Sequence, residues 1–432
     1  MKTLAMILTL TIAASGQAAS LDLGDLIGLA EKGNFTMIEG RLNNESSRAG
    51  FSVARSAILP RLGIDSSTSY SSRTDSGGER WASSAALVLS QNFYDGGQSW
   101  SALEQSRVTR EQAALSEQRA RETMSIEVVR AYATSSRLAR NRVAASRKLK
   151  LLEEQFDLVR RQFRQGRKTQ RDYQLLEAEL ERSRLELESV ENEIFESFRN
   201  LEKVVGSPAT PLDPTTVQLL TIDQIMALKD WYSKSALNAE EESLDLKIQK
   251  LGVRSSEIAL QQARREYWPR LYLNGTASYG SRDFVGPGAV GWTQNDGTNL
   301  GVSLQLNWTL FDWGGVPAQV SQAKSRSLLE EKRFEQRKLE VISESRVLEN
   351  NVQRQTRILE VQKKIRDLER VSFREIEREY REGRSEYLDL ISALERDIRA
   401  EQSFENEVFS YFVSLAELLE LKGKLYDRAK SL

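Results

Sequence analysis

The side chains that could do chemistry in this sequence are carboxylates, hydroxyls and amines, because the chain contains no Cys and no His. Without Cys there is no disulfide, thiolate metal site or Cys nucleophile. Without His there is no Ser-His-Asp triad and no imidazole metal ligand. Carboxylate-only or Ser-Lys chemistry is left, and no S-x-x-K setting with its supporting motifs occurs. The sequence therefore predicts a protein that is not an enzyme and that uses no cofactor and no metal.

Three conspicuous polar segments have structural explanations. Asp95-Gly96-Gly97 and the run from Asp312 to Gly315 are typical of the turn where a strand passes into a helix. They are not phosphate-binding loops, because no Lys-Ser/Thr follows. The dense carboxylates from Glu177 to Glu193 indicate the solvated face of a coiled coil rather than an acid/base pair. Function must therefore be sought in larger elements.

Composition favours long solvated helices over a compact globular core. The chain has 432 residues, of which 28% are charged and only seven are Pro. Lys plus Arg number 61 and Asp plus Glu 62, a net charge of −1. No basic excess suggests nucleic acid, so none is expected as a partner.

The first residues predict export. Lys2 supplies a positive charge, an apolar segment runs from Leu4 to Ala14, and Gly16-Gln17-Ala18 provides small residues for cleavage. This pattern is typical of a secretory signal peptide and too short for a spanning helix. We predict cleavage after Ala18, with Ala19 as the alternative.

The second half of the chain repeats the first. The segment LVLSQNFYDGG from Leu87 matches LQLNWTLFDWGG from Leu304, and the same offset of 217 residues pairs Gly166 with Gly383. A repeat of this length indicates duplication of a structural unit. The resulting domain prediction is a signal peptide over 1–18, a first repeat over 19–206, a Pro-rich linker over 207–221, a second repeat over 222–423 and a C-terminal tail over 424–432. The first repeat is expected to contain a hairpin at about 61–95 and a helical tip near 166. The second is expected to contain a hairpin at about 270–312 and a helical tip near 383.

Each repeat contains long helical segments. Residues 98–165 contain neither Pro nor Gly, and as one helix they would reach ~100 Å. After Gly166, a second helix is predicted from Arg167 to Val205. Its apolar and small residues fall into an a/d seam over more than four heptads, so it should pack as a coiled coil. The a positions are Tyr173, Leu180, Leu187, Ile194 and Leu201, and the d positions are Leu176, Ser183, Val190, Ser197 and Val204.

Four segments have the alternation of strands. The clearest runs from Leu300 to Leu310, with apolar residues on one face and small or polar residues on the other. Six of the seven Trp lie in or beside these hairpins, as an interfacial aromatic girdle requires. Pattern alone also allows a two-faced soluble sheet. Because four strands cannot close a membrane barrel, several chains must contribute to a membrane form.

The order of these motifs resembles the TolC-like outer-membrane efflux protein family. Helix, LPRL, hairpin, FYDGG, long helix, Gly tip and long helix are followed by the same unit with WPRL and LFDWGG, across essentially the whole mature chain. The resemblance implies a mainly α fold with a membrane β-barrel part. A homotrimer would form a twelve-stranded barrel in the outer membrane, continued by a periplasmic α-helical barrel.

The resemblance also implies a function. The chain would be the outer-membrane channel of a tripartite efflux or type I secretion system, a passive duct from periplasm to outside. It would contact outer-membrane lipid and dock to an inner-membrane pump through a periplasmic adaptor. Its helical tips would provide the docking residues, here Gly166, Arg167, Gly383 and Arg384.

The family's periplasmic gate carries over only in part. Tyr380, Asp389 and, in the first repeat, Asp172 match the gate positions, and a bond from the Tyr380 hydroxyl to Asp172 is the expected latch. Ser392 and Ser385 replace a second acid and an Arg that are common in the family.

Two other classes stay open on sequence. One is a soluble periplasmic coiled-coil structural or adaptor protein, which the duplicated amphipathic hairpins disfavour. The other is an exported carboxylate-dependent enzyme such as a wall hydrolase, which the lack of a convergent motif disfavours.

Overall fold

The chain is mainly helical with one small sheet. The computed structural model describes residues 21–72, 79–206, 211–234, 239–284 and 297–431, and the predicted signal peptide lies outside them. The elements are α1 Leu23–Gly33, α2 Phe35–Ser56, β1 Arg61–Ser72, β2 Glu79–Tyr94, α3 Gln98–Arg164, α4 Gln170–Val205, α5 Ile222–Lys234, α6 Ala239–Glu242, α7 Leu244–Arg265, β3 Arg270–Phe284, β4 Gly297–Asn307, α8 Gly315–Arg381, α9 Tyr387–Leu421 and α10 Leu425–Ala429.

The longest elements are α3 and α8, which have 67 residues each. Both are uninterrupted because Pro and Gly are absent from their interiors, apart from Pro317, which lies in the first turn of α8 where its missing N–H costs nothing. At 1.5 Å per residue each spans ~100 Å. The prediction of a single long helix after residue 98 is confirmed.

Helix α4 begins at Gln170, three residues later than the sequence predicted. The Thr169 side chain accepts the backbone N–H of Asp172, and Thr169 is extended, so it caps the helix and excludes the preceding residues from it. The predicted heptad seam is confirmed, because its a and d positions point inward. The buried members are Leu176, Leu180, Ser183, Ile194, Ser197 and Leu201.

Among the described helices, none has a stretch long and apolar enough to cross a membrane.

The four strands form one antiparallel sheet in the order β1-β2-β3-β4. The central β2–β3 pair joins the hairpins of the two repeats, and β1 and β4 are the edges. The predicted alternation reached Leu310, but β4 ends at Asn307, opposite Arg270. Pro269 precedes Arg270 and has no N–H to extend the ladder. Trp308 instead donates its indole N–H to the Tyr267 carbonyl at 3.1 Å.

The chain divides into two compact units. Unit 1 comprises Met1–Glu39, Arg119–Ser243 and Val341–Leu432, and unit 2 comprises Gly40–Gln118 and Leu244–Glu340. Each unit takes segments from both sequence repeats.

Unit 1 has the larger apolar core. Helices α9 and α3 contribute the largest shares of it, and α1, α5 and α10 supply further buried Leu and Ile side chains. Part of the predicted Pro-rich linker also belongs to this core, since Leu212, Val217 and Leu220 are buried. Val217 pairs in parallel with Leu21, which ties the linker to the start of the described chain.

Candidate functional site

The sheet of unit 2 has one apolar face that nothing in the described chain covers. The register places Ile64, Leu87, Ala277 and Leu300 side by side across the four strands. The alternate residues along each strand complete the same face, which includes Leu62, Leu89, Leu271, Leu273, Val302, Leu304 and Leu306. On the edge strands, 78% of Ile64 and 82% of Val302 is exposed.

A face of this kind requires an apolar environment. Soluble monomers rarely expose contiguous apolar patches above a few hundred Å². A soluble two-faced sheet would bury these side chains, and the described residues provide no cover. The opposite face carries polar groups such as Asn274, Ser303 and Gln305, so the sheet alternates as a transmembrane barrel wall does.

The Trp residues near the sheet are also exposed. They are Trp100, Trp268, Trp308 and Trp313, which lie at the ends of the strands and the start of the following helices. Trp and Tyr side chains in such positions favour a membrane–water interface. Trp292, also assigned to the predicted girdle, lies outside the described residues, and nothing is described of the Trp81 side chain.

The two segments lie where a strand passes into a helix, as the sequence predicted, and in each turn an aspartate caps the helix. Asp95 accepts the backbone N–H of Gly97 at 2.9 Å and of Ser99 at 2.8 Å, and Asp312 accepts those of Gly314 and Val316. These bonds satisfy donors at the starts of α3 and α8.

In the first repeat the turn also needs glycine. Gly96 has φ of +66°, and a Cβ there would lie 2.6 Å from the Cβ of Trp268. In the second repeat Trp313 occupies the equivalent position with φ of +57°, where its side chain is free to point outward.

The helical tip between α3 and α4 is an exposed turn in unit 1. Gly166 ends α3 with φ of +70°, and the Arg167 N–H donates back to the Gln162 carbonyl at 2.9 Å. A Cβ on Gly166 would meet nothing within 4 Å, so glycine is required here for its backbone conformation alone. Gly166 and Arg167 are both exposed.

The tip between α8 and α9 has the same construction. Gly383 has φ of +74°, and the Arg384 N–H donates to the Glu379 carbonyl at 2.8 Å. Gly383 and Arg384 are exposed. Tyr387, at the start of α9, packs against the cluster of Val159 in α3 and Leu176 in α4. The two tips therefore lie at the same end of unit 1.

The two acids assigned to the predicted gate cap helices. Asp172 accepts the Thr169 backbone N–H at 3.2 Å, and Asp389 accepts that of Glu386 at 3.3 Å. Hydrogen bonds from Thr169, with the positive charges of Lys168 and Arg171, hold the pKa of the Asp172 carboxyl below its ordinary value. The carboxylates remain at least partly exposed, so they can still face a lumen.

Tyr380 is placed differently from the expected latch. Its ring packs against Phe373, Leu390 and neighbouring buried residues, and burial raises the pKa of its hydroxyl. Within the described part of the chain, that hydroxyl donates no hydrogen bond, and Asp172 is not its partner. The expected Tyr380–Asp172 bond is thus not formed inside one chain.

Sequence reasoning missed a row of acids on the buried side of α9. Asp397, which is fully buried, lies 3.1 Å from Arg147 of α3 and 4.0 Å from Arg370 of α8, measured from carboxylate oxygen to guanidinium nitrogen. One turn later Glu401 contacts the same two arginines, at 3.6 and 2.8 Å. Burial raises the pKa of Asp397 although both arginines lower it. The signal in the sequence was a pair of acids, Asp397 and Glu401, at i, i+4 spacing on an otherwise apolar helix face.

A second buried acid was also missed. Glu122 of α3 is 5% exposed, and its carboxylate accepts the backbone N–H groups of Leu425 and Tyr426 at 2.9 and 3.1 Å. It thereby caps α10 from outside that helix. Burial, with repulsion from Asp427 and Glu420, raises the pKa of Glu122 to about 7 despite the two hydrogen bonds.

No group of three or more acidic side chains in the described ranges is arranged to hold a metal ion.

Comparison with known proteins agrees with this geometry. The family model described as "Outer membrane efflux protein" matches residues 26–207 and 237–421. The chain is 22% identical to outer membrane protein TolC of Escherichia coli (strain K12) over 387 residues, which cover 87% of this chain and 76% of that protein. It is 18% identical to TolC of Vibrio cholerae, with 94% of this chain and 92% of that protein covered.

Among solved structures, the Campylobacter jejuni CmeC outer membrane channel superposes with a TM-score of 0.79 at 15% identity, covering 93% of this chain and 86% of that chain. The chain thus has the fold of an outer-membrane channel subunit, with long helices and a small membrane sheet. It belongs to the outer membrane efflux protein family, is TolC-like, and is an outer-membrane protein.

Proposed function

We propose that three copies of this chain form a passive duct through the outer membrane that extends into the periplasm. The duct would be the exit component of a tripartite efflux or type I secretion system. The observation that carries this proposal is a sheet with an uncovered apolar face and two unpaired edges, β1 and β4.

The strands argue for more than two copies. The edges have 12 and 11 residues, and unpaired backbone groups in lipid cost several kcal/mol each. Pairing β4 of one copy with β1 of the next continues the antiparallel order and removes every edge. Two copies would give eight strands, whose interior side chains fill, whereas three give twelve strands and leave a lumen. Membership of the family supports the trimer.

The helical tips would receive the periplasmic partners. Gly166, Arg167, Gly383 and Arg384 are exposed at one end of unit 1, and we propose that a periplasmic adaptor docks there and links the channel to an inner-membrane pump. The chain would do no chemistry of its own, because export through a duct requires only a passage and a gate.

We further propose that Asp172, Asp389 and Tyr380 form the periplasmic gate. Three copies of each acid around one axis would repel one another and attract cations. Packing of the Tyr380 ring against Phe373 and Leu390 would hold the tip of the second hairpin in place. Any latch from the Tyr380 hydroxyl would have to reach a neighbouring copy.

The experiment is a mass measurement followed by conductance. Outer-membrane fractions are solubilised in detergent, the mass of the protein complex is determined, and the complex is placed in planar bilayers. We expect three chains per complex and weak, cation-preferring conductance. A monomer that is stably inserted in membrane would contradict the twelve-strand assembly. Recovery as a soluble periplasmic protein would instead support the coiled-coil adaptor.

A further inference from the structure

The two helical tips have the same backbone and opposite charge. We call residues 157–172 the basic turn and residues 374–389 the acidic turn; they are equivalent stretches of the two repeats. The basic turn holds six cations and two carboxylates, and the acidic turn holds four cations and six carboxylates. The cations of the basic turn are Arg160, Arg161, Arg164, Arg167, Lys168 and Arg171.

The cations of the basic turn are available to a partner. Five are exposed and Lys168 is half-exposed. Across the described residues, no carboxylate lies within 4.0 Å of any of the six. Arg161 does donate from Nε to the Asp157 backbone carbonyl at 3.2 Å, but that bond leaves its charge unbalanced.

Ion pairs within the acidic turn neutralise part of its charge. Arg381 pairs with Glu377 at 2.5 Å, and Arg384 pairs with Glu382. The two arginines of the basic turn at the equivalent positions, Arg164 and Arg167, have no such neighbours. A partner therefore meets two turns of equal shape, one with a surplus of positive charge and the other with a surplus of negative charge.

We propose that the periplasmic protein that docks on these tips presents carboxylate side chains to the basic turn and a neutral or basic surface to the acidic turn. This inference rests on the proposed function, and it specifies the chemistry of the adaptor. Charges at a contact attract or repel within a Debye length, about 8 Å at physiological ionic strength, and they mainly set association rate and salt dependence. A single acidic docking element would bind the basic turn and be repelled by the acidic one.

A protein partner fits the observations better than an anionic polymer. The acidic turn lies at the same end of unit 1 as the basic turn, because the start of α9 packs against α3 and α4. A uniformly anionic glycan crossing this end would meet carboxylates such as Glu386 and Asp389. A folded surface can carry both signs at the required positions.

The test uses photo-crosslinking in cells that make the full-length chain and carry out export. A photoreactive amino acid replaces Gln165 in the basic turn or, in a separate strain, Glu382 in the acidic turn, both of which are exposed and equivalent in the repeats. The cross-linked segment is identified by mass spectrometry. We expect a net negative protein segment at Gln165 and a neutral or positive one at Glu382. A net positive segment, a glycan, or no cross-link at Gln165 would overturn the inference.

Charge reversal then tests causation with a matched control. We expect Arg164→Glu with Arg167→Glu to lower the cross-link yield and export at least tenfold. Lys363→Glu with Lys364→Glu, the same reversal of two exposed cations on α8 outside both turns, should leave both within twofold. Equal losses in the two double variants would contradict the inference. Should the glutamate variant of the basic turn fail to reach the outer membrane, Arg164→Gln with Arg167→Gln removes the charges more gently and should give a smaller loss in the same direction.

Failure of the inference can be told apart from failure of the proposed function. Purified wild type and both double variants are compared in planar bilayers. If wild type forms no conducting trimer, the proposed function is wrong and the docking inference falls with it. If all three conduct alike but the cross-linked segment at Gln165 is not acidic, the channel stands and only the inference is wrong.

Discussion

Glu122 gives a prediction with a defined sign and size. Its carboxyl is buried in unit 1 and caps α10, with a pKa of about 7 in the folded chain against an ordinary value of 4.5. Between these two values the unfolded chain has lost the proton and the folded chain still holds it. The free energy of unfolding therefore falls as pH rises from 4.5 to 7, by about 3 kcal/mol in all. Below pH 4.5 this loss of stability is absent, and above pH 7 it is complete.

Glu122→Gln should remove this dependence. The glutamine stays neutral, and its amide oxygen can still accept the N–H groups of Leu425 and Tyr426. At pH 8 the variant should be more stable than wild type by about 1–3 kcal/mol, and at pH 5 the difference should be under about 1 kcal/mol. The expected gain at pH 8 can be smaller than about 3 kcal/mol because the ionised carboxylate of wild type makes stronger hydrogen bonds than the amide of the variant.

The assay is guanidinium unfolding of the detergent-solubilised protein, followed by helical circular dichroism at several pH values between 5 and 8. Glu154→Gln, which removes an exposed carboxylate from the same helix, is the control and should change stability by less than about 0.5 kcal/mol at every pH. A constant difference between Glu122→Gln and wild type across this range would refute the reasoning.

Three further predictions follow from the sheet and the tips. Leu304→Arg on the apolar face should reduce insertion into lipid vesicles by about 2–4 kcal/mol, whereas Gln305→Arg on the polar face should be tolerated; equal behaviour would show that the faces are assigned wrongly. Asp389→Asn, which keeps an acceptor for the helix cap, should lower the cation selectivity measured from reversal potentials in a salt gradient, and unchanged selectivity would remove Asp389 from the gate. Gly166→Ala should destabilise the tip by about 1–2 kcal/mol because of its positive φ, while Gly252→Ala inside α7, where a Cβ meets nothing within 4 Å, should stabilise by about 0.5–1 kcal/mol in thermal unfolding.

Local elements were predictable because their signals are local. The absence of Pro and Gly over residues 98–165 is enough to predict α3, and alternation of apolar residues is enough to locate the strands. The errors came where a tertiary contact decided the boundary. Alternation continued through Trp308 and Leu310, but the ladder stops at the partner strand's Pro269. The start of α4 depended on a side-chain cap at Thr169.

The tips were predictable in position but not in chemistry. Gly166 and Gly383 mark turns in sequence because only glycine adopts their backbone conformation cheaply. The partners of nearby charges depend on side-chain geometry that spacing does not determine. Asp172 and Asp389 were therefore assigned to a gate, and the structure shows that each also caps its helix. The buried position of Asp397 could be seen only once α3, α8 and α9 were packed together.

That buried position explains how α9 can pack in one register. Its buried face is apolar from Phe404 to Leu421, so a shift by one heptad would there exchange one apolar residue for another, such as Val408 for Leu415. Asp397 and Glu401 remove this freedom. A shift would separate them from Arg147 and Arg370 and leave a fully buried carboxylate unpaired, which costs about 3–5 kcal/mol. A buried ion pair adds little net stability compared with apolar packing, so its contribution here is selection of the register. That register also sets where the start of α9 lies against α3 and α4, where Tyr387 packs, and therefore the position of the second tip beside the first.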